Sequence, residues 1–175
     1  SSSLVKERVP FERWGAVTLA LLRDFVRRFT MDSGAPFENA HYTIGVSLAW
    51  AAQVNDILMQ AGIGDALDMP LVKKSVRFAM NWLTPPDPRF LGHRLLISWG
   101  NGSYQSYTPE FANEYVDYYK ERDPKLAGKL QWAANQSLPD DKKVSIVEEI
   151  KPELESGWFE DYGVIFRHGY GTEHE

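Results

Sequence analysis

Apolar side chains recur every three or four residues over most of the chain up to position 138, and this spacing predicts amphipathic helices. Trp14, Val17 and Leu21 give a clear example. Five segments carry the helical period, at about 11–29, 40–61, 69–83, 109–119 and 125–135. Because short turns join several of these segments, we expect them to form antiparallel helix pairs.

Glycine and proline mark where the predicted helices begin and end. Gly62 and Gly64 stop the second helix, and Pro70 lies in the first turn of the third, where proline is favoured. The run Pro85-Pro86-Asp87-Pro88 ends the third helix abruptly. The segment from about 84 to 108 then shows neither the helical period nor the alternation of a strand. A connection of that length without regular structure is usually functional.

The pattern changes after Pro139. Residues 139–154 include the charged run Asp140-Asp141-Lys142-Lys143, which predicts a solvated linker. Residues 162–166 alternate with period two, which predicts a strand within a β segment at 155–175. One or two strands do not form a stable sheet alone. We therefore expect this chain to be one piece of a longer polypeptide.

Composition excludes several classes of function. The chain has 175 residues, a net charge of −5 and no cysteine, which excludes disulfides and cysteine-ligated metals. No Lys/Arg run exceeds two residues, which argues against nucleic acid and anionic membranes as partners. Polar residues interrupt the longest apolar stretch, so no membrane span is predicted. The four histidines lack ligand spacing, so we expect no metal site within this chain.

The first cluster of candidate chemistry lies where the second helix begins. Glu38, Asn39, His41 and Tyr42 place a carboxylate, an amide, an imidazole and a phenol within five positions. A loop exposes such groups and the following helix fixes them, as catalytic sites require. The structural alternative is that Asn39 caps the helix and that His41 and Tyr42 are ordinary first-turn residues.

The second cluster lies in the segment without regular structure. Arg94 and His93 occur beside Tyr104, and this combination suits an acidic ligand because arginine offers a fork of donors to a carboxylate. A nearby cation also lowers the pKa of a phenol. Trp99 and Tyr107 add rings that could stack on sugars. The structural alternative is a turn-rich loop with exposed arginine.

Three stretches resemble heparinase II/III-like polysaccharide lyases. Residues 37–42, Phe-Glu-Asn-Ala-His-Tyr, are similar to a helix-entrance motif of that family. Residues 85–94, followed by Gly100-Asn101, resemble the loop after its next helix pair, and 162–171 resemble the opening strand of its β-sandwich. The resemblance covers about 34–175 and implies a mainly α fold. Residues 1–138 would form part of an incomplete (α/α) toroid of antiparallel helix pairs, and 155–175 the first strands of a truncated β-sandwich.

The resemblance also implies an activity, which is β-elimination at a uronic acid of an acidic polysaccharide. It implies that His41 and Tyr104 transfer protons, with Tyr42 or Tyr107 as alternatives to Tyr104, and that Asn39 neutralises the sugar carboxylate with help from Glu38 or Arg94. Glu38 could instead only orient His41. The wider substrate-binding set is Glu38, Tyr42, His93, Arg94, Trp99 and Tyr107.

The resemblance further implies where the enzyme works and what it lacks. Family members draw another catalytic histidine from later β strands, so we expect the site of this chain to be incomplete without the remainder of its own polypeptide. No cofactor is expected within the chain, although a structural metal in the missing β domain is compatible with the resemblance. The expected location is secreted or periplasmic. The alternative from a different class is a non-catalytic carbohydrate-binding or helical interaction module.

Overall fold

A computed structural model describes residues 2–97, 107–160 and 162–170. The described chain is mainly helical and ends in a small two-stranded antiparallel sheet. The α-helices are α1 (Ser2–Phe29), α2 (Ala40–Tyr42), α3 (Ala49–Gln60), α4 (Pro70–Asn81), α5 (Pro109–Tyr119) and α6 (Pro124–Asn135). A π-helix at Thr43–Leu48 joins α2 to α3. The predicted helices are confirmed, and α1 begins earlier than its clearest period.

Helices α4, α5 and α6 begin where their sequence signals indicated. Each carries proline in its first turn, where the missing N–H costs no hydrogen bond. The Thr108 side chain accepts a hydrogen bond from the Phe111 backbone N–H, and the Asp123 side chain accepts one from Leu126 N–H. Such caps satisfy donors that the helix itself leaves open.

Hydrogen bonds between elements fix the direction in which the helices run. Tyr107 lies just before α5 and donates its hydroxyl to the Ala79 carbonyl near the end of α4 at 2.6 Å. Tyr118, near the end of α5, donates to Asp65, which precedes α4. Helix α5 is therefore antiparallel to α4. An ion pair between Lys73 and Asp123 joins the starts of α4 and α6, so these two helices run in the same direction.

One consequence of this arrangement is that several loops meet at one end of the helix bundle. We call this end the entrance rim and define it by residues 37–42, 82–97, 107–108, 136–138, 157–160 and 162–167. Contacts such as the bond from Arg94 N–H to the Gln136 carbonyl join its segments. The short connections, 61–69 and 120–123, lie at the opposite end.

The core lies between α3, α4, α5 and α6. Its largest buried side chains include Phe78, Phe111 and Tyr115, and the Phe111 ring packs against Tyr115 with centroids 4.8 Å apart. Burying rings of this size supplies much of the apolar area that stabilises a small domain. The Tyr115 hydroxyl still has a partner, because it donates to the Leu48 carbonyl.

Residues 143–156, which we call the strap, follow the short 3-10 helix at Asp140–Lys142 and pack along α6. The Asn135 side chain exchanges two 2.7 Å hydrogen bonds with the Val144 backbone. One turn earlier, Gln131 accepts hydrogen bonds from Ile146 and Val147 N–H. Most of the segment predicted as a solvated linker is therefore held by side chains of α6, although the charged run at 140–143 is exposed.

Gly128 explains how the strap can approach the helix so closely. The Ile150 N–H donates to the Gly128 carbonyl, and a side-chain carbon added at Gly128 would lie 2.7 Å from the Glu148 carbonyl oxygen. Glycine is needed at position 128 because the backbone of the strap passes close to the backbone of α6.

The terminal hairpin consists of β1 (Gly157–Phe159) and β2 (Gly163–Ile165). Its pairs are Gly157 with Ile165, Trp158 with Val164 and Phe159 with Gly163. Ile165 is buried, whereas Phe166 just beyond β2 is 86% exposed. The strand predicted at 162–166 is thus confirmed as the second strand of a hairpin.

We predict that replacing Asn135 by alanine releases the strap. The Val144 N–H and C=O would lose their partner, which should lower the free energy of unfolding by about 1–3 kcal/mol. Urea unfolding followed by circular dichroism measures this change, and limited proteolysis reports exposure of 143–156. The control is Gln53→Ala, an exposed amide on α3. Equal stability of both variants would contradict the role assigned to Asn135.

Candidate functional site

The π-helix at Thr43–Leu48 directly follows the polar cluster at the start of α2. A π-helix widens the turn and leaves backbone groups that the α pattern would have paired, and such segments occur frequently at functional sites. The Tyr115 hydroxyl donates to the carbonyl of Leu48, the last π residue, at 3.2 Å. Helix α5 thereby supports the π-helix. The apolar period of the sequence did not predict that this segment would be a π-helix.

Asn39 occupies the position of a helix cap. Its carbonyl accepts a hydrogen bond from Thr43 N–H at 3.0 Å, and its side chain is partly exposed. This geometry agrees with the capping alternative, and it also leaves Asn39 at the surface where a ligand can approach. Glu38 and Tyr42 on either side are exposed.

The terminal hairpin packs against the same entrance. Burial raises the pKa of Tyr162, and its contact with the Ala40 backbone opposes that shift. Because Ala40 follows Asn39 directly, this contact places the hairpin beside the helix entrance. More than 100 sequence positions separate the two segments, and no pattern in the sequence predicts that they touch.

An aromatic cluster holds the hairpin in this place. Phe159 and Tyr162 meet the Phe78 ring edge to face, with centroids 4.9 and 5.3 Å apart. The Trp82 ring lies 5.1 Å from Tyr162, and its indole N–H donates to the Ile97 carbonyl. Edge-to-face pairs add stability beyond the area that they bury.

Arg167 provides a second attachment. Its guanidinium donates 2.7 Å hydrogen bonds to the carbonyls of Asn81 and Leu83, where α4 ends. Carbonyls at a helix end lack partners within the helix, and a cation there also meets the negative end of the helix dipole. Sequence analysis assigned no role to Arg167, and its place in a strand alternation was the only signal.

Arg94 has a different position from the one predicted. The residue is 5% exposed, and its guanidinium donates to the Thr84 carbonyl at 3.1 Å. It also lies 5.4 Å from the centre of the Tyr170 ring and 5.9 Å from that of Trp132. These contacts make Arg94 a structural residue of the entrance rim, so we remove it from the set that contacts substrate.

Tyr107 is also a structural residue. It is 1% exposed, and its hydroxyl donates to the Ala79 carbonyl. Burial raises the pKa of Tyr107 far above the working range, so the phenol stays neutral. Tyr107 therefore offers neither a ring face nor a base to a ligand, which corrects the prediction that it binds sugar or substitutes for Tyr104.

The segment after α4 has more structure than the sequence indicated. A 3-10 helix forms at Pro88–Phe90, and the Asp87 side chain caps it by accepting from Arg89 N–H. Asp87 N–H donates to the His93 carbonyl, which closes a tight turn. His93 is partly exposed at the entrance rim, as a ligand-binding role requires. Hydrogen bonds from the Arg89 side chain and backbone lower the pKa of Asp87.

The structure does not describe the side chains of three predicted site residues. Trp99 and Tyr104 fall outside the described residues, as does the side chain of His41, although the His41 backbone lies in α2. The described residues thus bring Asn39, Tyr42 and Glu38 to one helix entrance, and they place His93 on the same rim. Tyr162 and Arg167 are the rim residues that sequence reasoning missed.

The described part of the chain shows neither a metal site nor a membrane span. Within it, no group of three or more histidine or acidic side chains is arranged to hold a metal ion. None of its helices combines the length and apolar character needed to cross a membrane.

Comparison with known proteins gives no family, since no family model, curated protein or solved structure matches the chain.

We predict that Arg167→Ala loosens the hairpin without unfolding the helices. Two charge-assisted hydrogen bonds to the end of α4 would be lost, at a cost of about 1–3 kcal/mol. Hydrogen exchange should accelerate at 157–167 and remain unchanged in α5. Arg27→Ala, an exposed residue of α1, serves as the control. Unchanged exchange at the hairpin would show that the aromatic cluster alone holds it.

Proposed function

We propose that the chain is part of a polysaccharide lyase that cleaves an acidic, uronate-containing polysaccharide by β-elimination at the entrance rim. The main support is the packing of Tyr162 against Phe78 and Trp82, which sets the hairpin beside Ala40 at the polar helix entrance. The fold proposed for the whole protein is an incomplete (α/α) toroid followed by a β-sandwich, of which this chain supplies helix pairs and the first hairpin.

The chemistry requires three groups. A proton next to a sugar carboxylate is too weakly acidic to be removed unaided, so the carboxylate must first be neutralised by hydrogen bonding. A base then removes the C5 proton, and an acid protonates the departing glycosidic oxygen at C4. The C4–O bond breaks as the C4–C5 double bond forms, and no water is consumed.

Asn39 is the residue we propose for the carboxylate. It is partly exposed at the start of α2, where the helix N-terminus also favours negative charge. Glu38 would assist it, since Arg94 is buried. His41 and Tyr104 are the proposed proton-transfer groups, and His93 and Tyr42 would contact the neighbouring sugars.

The second candidate is a non-catalytic carbohydrate-binding module, and one observation favours it. Trp158 is 76% exposed on the hairpin beside Val164, and Phe166 lies two residues further along. Exposed rings on one face of a hairpin can stack on sugars without any reaction. In the lyase proposal, the same face is covered by further strands of the β-sandwich.

We predict that Tyr104→Phe lowers the turnover of the full-length enzyme by roughly 10²–10⁴-fold with little change in substrate binding. Asn39→Ala should also lower turnover, because the interaction with the carboxylate strengthens as charge develops on it. The measurement is the near-ultraviolet absorbance of the unsaturated product on a polyuronate substrate.

The matched control is Tyr118→Phe, which also removes a phenol hydroxyl but lies near the end of α5, away from the entrance rim. It should retain activity even if stability falls. Wild-type rates in Tyr104→Phe and His41→Ala would contradict the proposed roles. Retention on a polyuronate column without new absorbance would favour the binding module.

A further inference from the structure

A cleft of about 330 Å³ lies between the parallel helices α4 and α6. Buried Met80 and Leu126 supply apolar lining, and the strap contributes Pro152 and Leu154. Ligand sites for small molecules usually measure about 300–1,000 Å³, so the cleft suits a short segment of a ligand. The sequence analysis did not single out any of these residues.

Cations dominate the walls of the cleft. Arg77 of α4 and Lys125 and Lys129 of α6 line it, together with Asp123 and Glu153. The Asp123 carboxylate is ion-paired with Lys73, and the hydrogen bond from Lys73 lowers the pKa of Asp123. The charge of Asp123 is thereby matched, and three cations remain against the single carboxylate of Glu153.

None of these cations forms an ion pair with a described residue, although Arg77 lies near enough to Asp123 to help lower the pKa of that carboxyl. The ion pairs of the described chain involve other side chains, and neither Arg77, Lys125 nor Lys129 takes part in one. Arg77 and Lys125 are exposed, and Lys129 is partly so. In a chain with a net charge of −5, such a local excess of positive charge points to an anionic ligand.

The spacing of the cations suits an elongated ligand. Arg77 follows Lys73 by four residues on α4, and Lys129 follows Lys125 by four residues on α6. Residues four apart lie on the same helix face, about 6 Å apart along the axis. Helix α6 thus presents two basic side chains along the cleft and α4 adds Arg77, since Lys73 is paired with Asp123 and does not line the cleft.

We propose that this cleft binds a segment of acidic oligosaccharide as an auxiliary site, separate from the entrance rim. Carboxylate or sulfate groups of the ligand would contact Arg77, Lys125 and Lys129, while an apolar sugar face would lie over Met80 and Leu126. The described lining contains no aromatic ring, which disfavours single-stranded nucleic acid because its bases bind by stacking. The choice of a polyuronate as the glycan rests on the proposed function.

The cleft also leads towards the entrance rim. Asn81, at the end of α4, lines the cleft, and its carbonyl accepts the hydrogen bond from Arg167 of the hairpin segment. A polysaccharide held in the cleft therefore continues towards Arg167. In this arrangement the auxiliary site holds one segment of the polysaccharide while the neighbouring sugar units reach the entrance rim.

The test is the affinity for a fluorescently labelled oligogalacturonate, measured by anisotropy at low ionic strength. The double variant Arg77→Glu/Lys129→Glu should bind at least about tenfold more weakly, because attraction becomes repulsion at two positions. Its control is Arg27→Glu/Lys142→Glu, which changes the net charge equally at exposed residues outside the cleft. The control should lose less than about threefold.

Further variants and probes make the result decisive. If charge reversal prevents folding, Arg77→Gln/Lys129→Gln is used instead and should still bind more weakly than Arg27→Gln/Lys142→Gln. Equal losses in the cleft and control variants would overturn the proposal, as would equally tight binding of single-stranded DNA or a neutral glucan. Lyase activity is assayed separately on the full-length enzyme, so failure of the cleft and failure of the proposed reaction are distinguishable.

Discussion

The packing of Phe159 and Tyr162 against Phe78 and Trp82 is the interaction on which the entrance rim depends. A two-stranded hairpin is marginal in water by itself, so its position must come from the surface on which it lies. The end of α4 supplies that surface as rings, and Arg167 adds hydrogen bonds to the α4 carbonyls. Without this cluster, the hairpin would lose the ring contacts that place it beside Ala40.

The strap makes that packing geometrically feasible. Amide side chains at Gln131 and Asn135 lie one helical turn apart and bind successive backbone groups of 144–147. Gly128 lets the strap continue at close range. The strap thereby runs along α6 away from the rim, and the residues after Ile150 lead back to the hairpin. Local side-chain chemistry on one helix thus determines where a later element lies.

The sequence predicted the elements better than their contacts. The helix at 109–119 has the observed bounds because Thr108 and Pro109 give a strong start signal and the apolar period continues to Tyr119. The π-helix had no such signal, since an apolar stretch with few breaks fits either helix type. The contact between Tyr162 and Ala40 could not be predicted from the sequence. The alternation of a strand shows which of its residues share a face, but it does not show which surface that face packs against.

The candidate site was predicted only in part, because sequence patterns show residue types and elements but not burial. The entrance cluster was found because polar residues of several kinds crowd one helix start, and the structure leaves Glu38, Asn39 and Tyr42 accessible. Arg94 and Tyr107 were misassigned because residue type alone does not reveal burial. Arginine is rarely buried, and it is tolerated at 94 because a carbonyl and two rings surround it.

The most direct test of the central claim is the bond chemistry of the product. Full-length enzyme is incubated with polyuronate in water enriched in the heavy oxygen isotope, and the fragments are analysed by mass spectrometry. Because β-elimination consumes no water, the account predicts fragments that carry a C4–C5 double bond and no heavy oxygen from the cleavage itself, after correction for exchange at the reducing end. Fragments heavier by one labelled water would show hydrolysis and contradict the account, and intact polymer would contradict any cleavage.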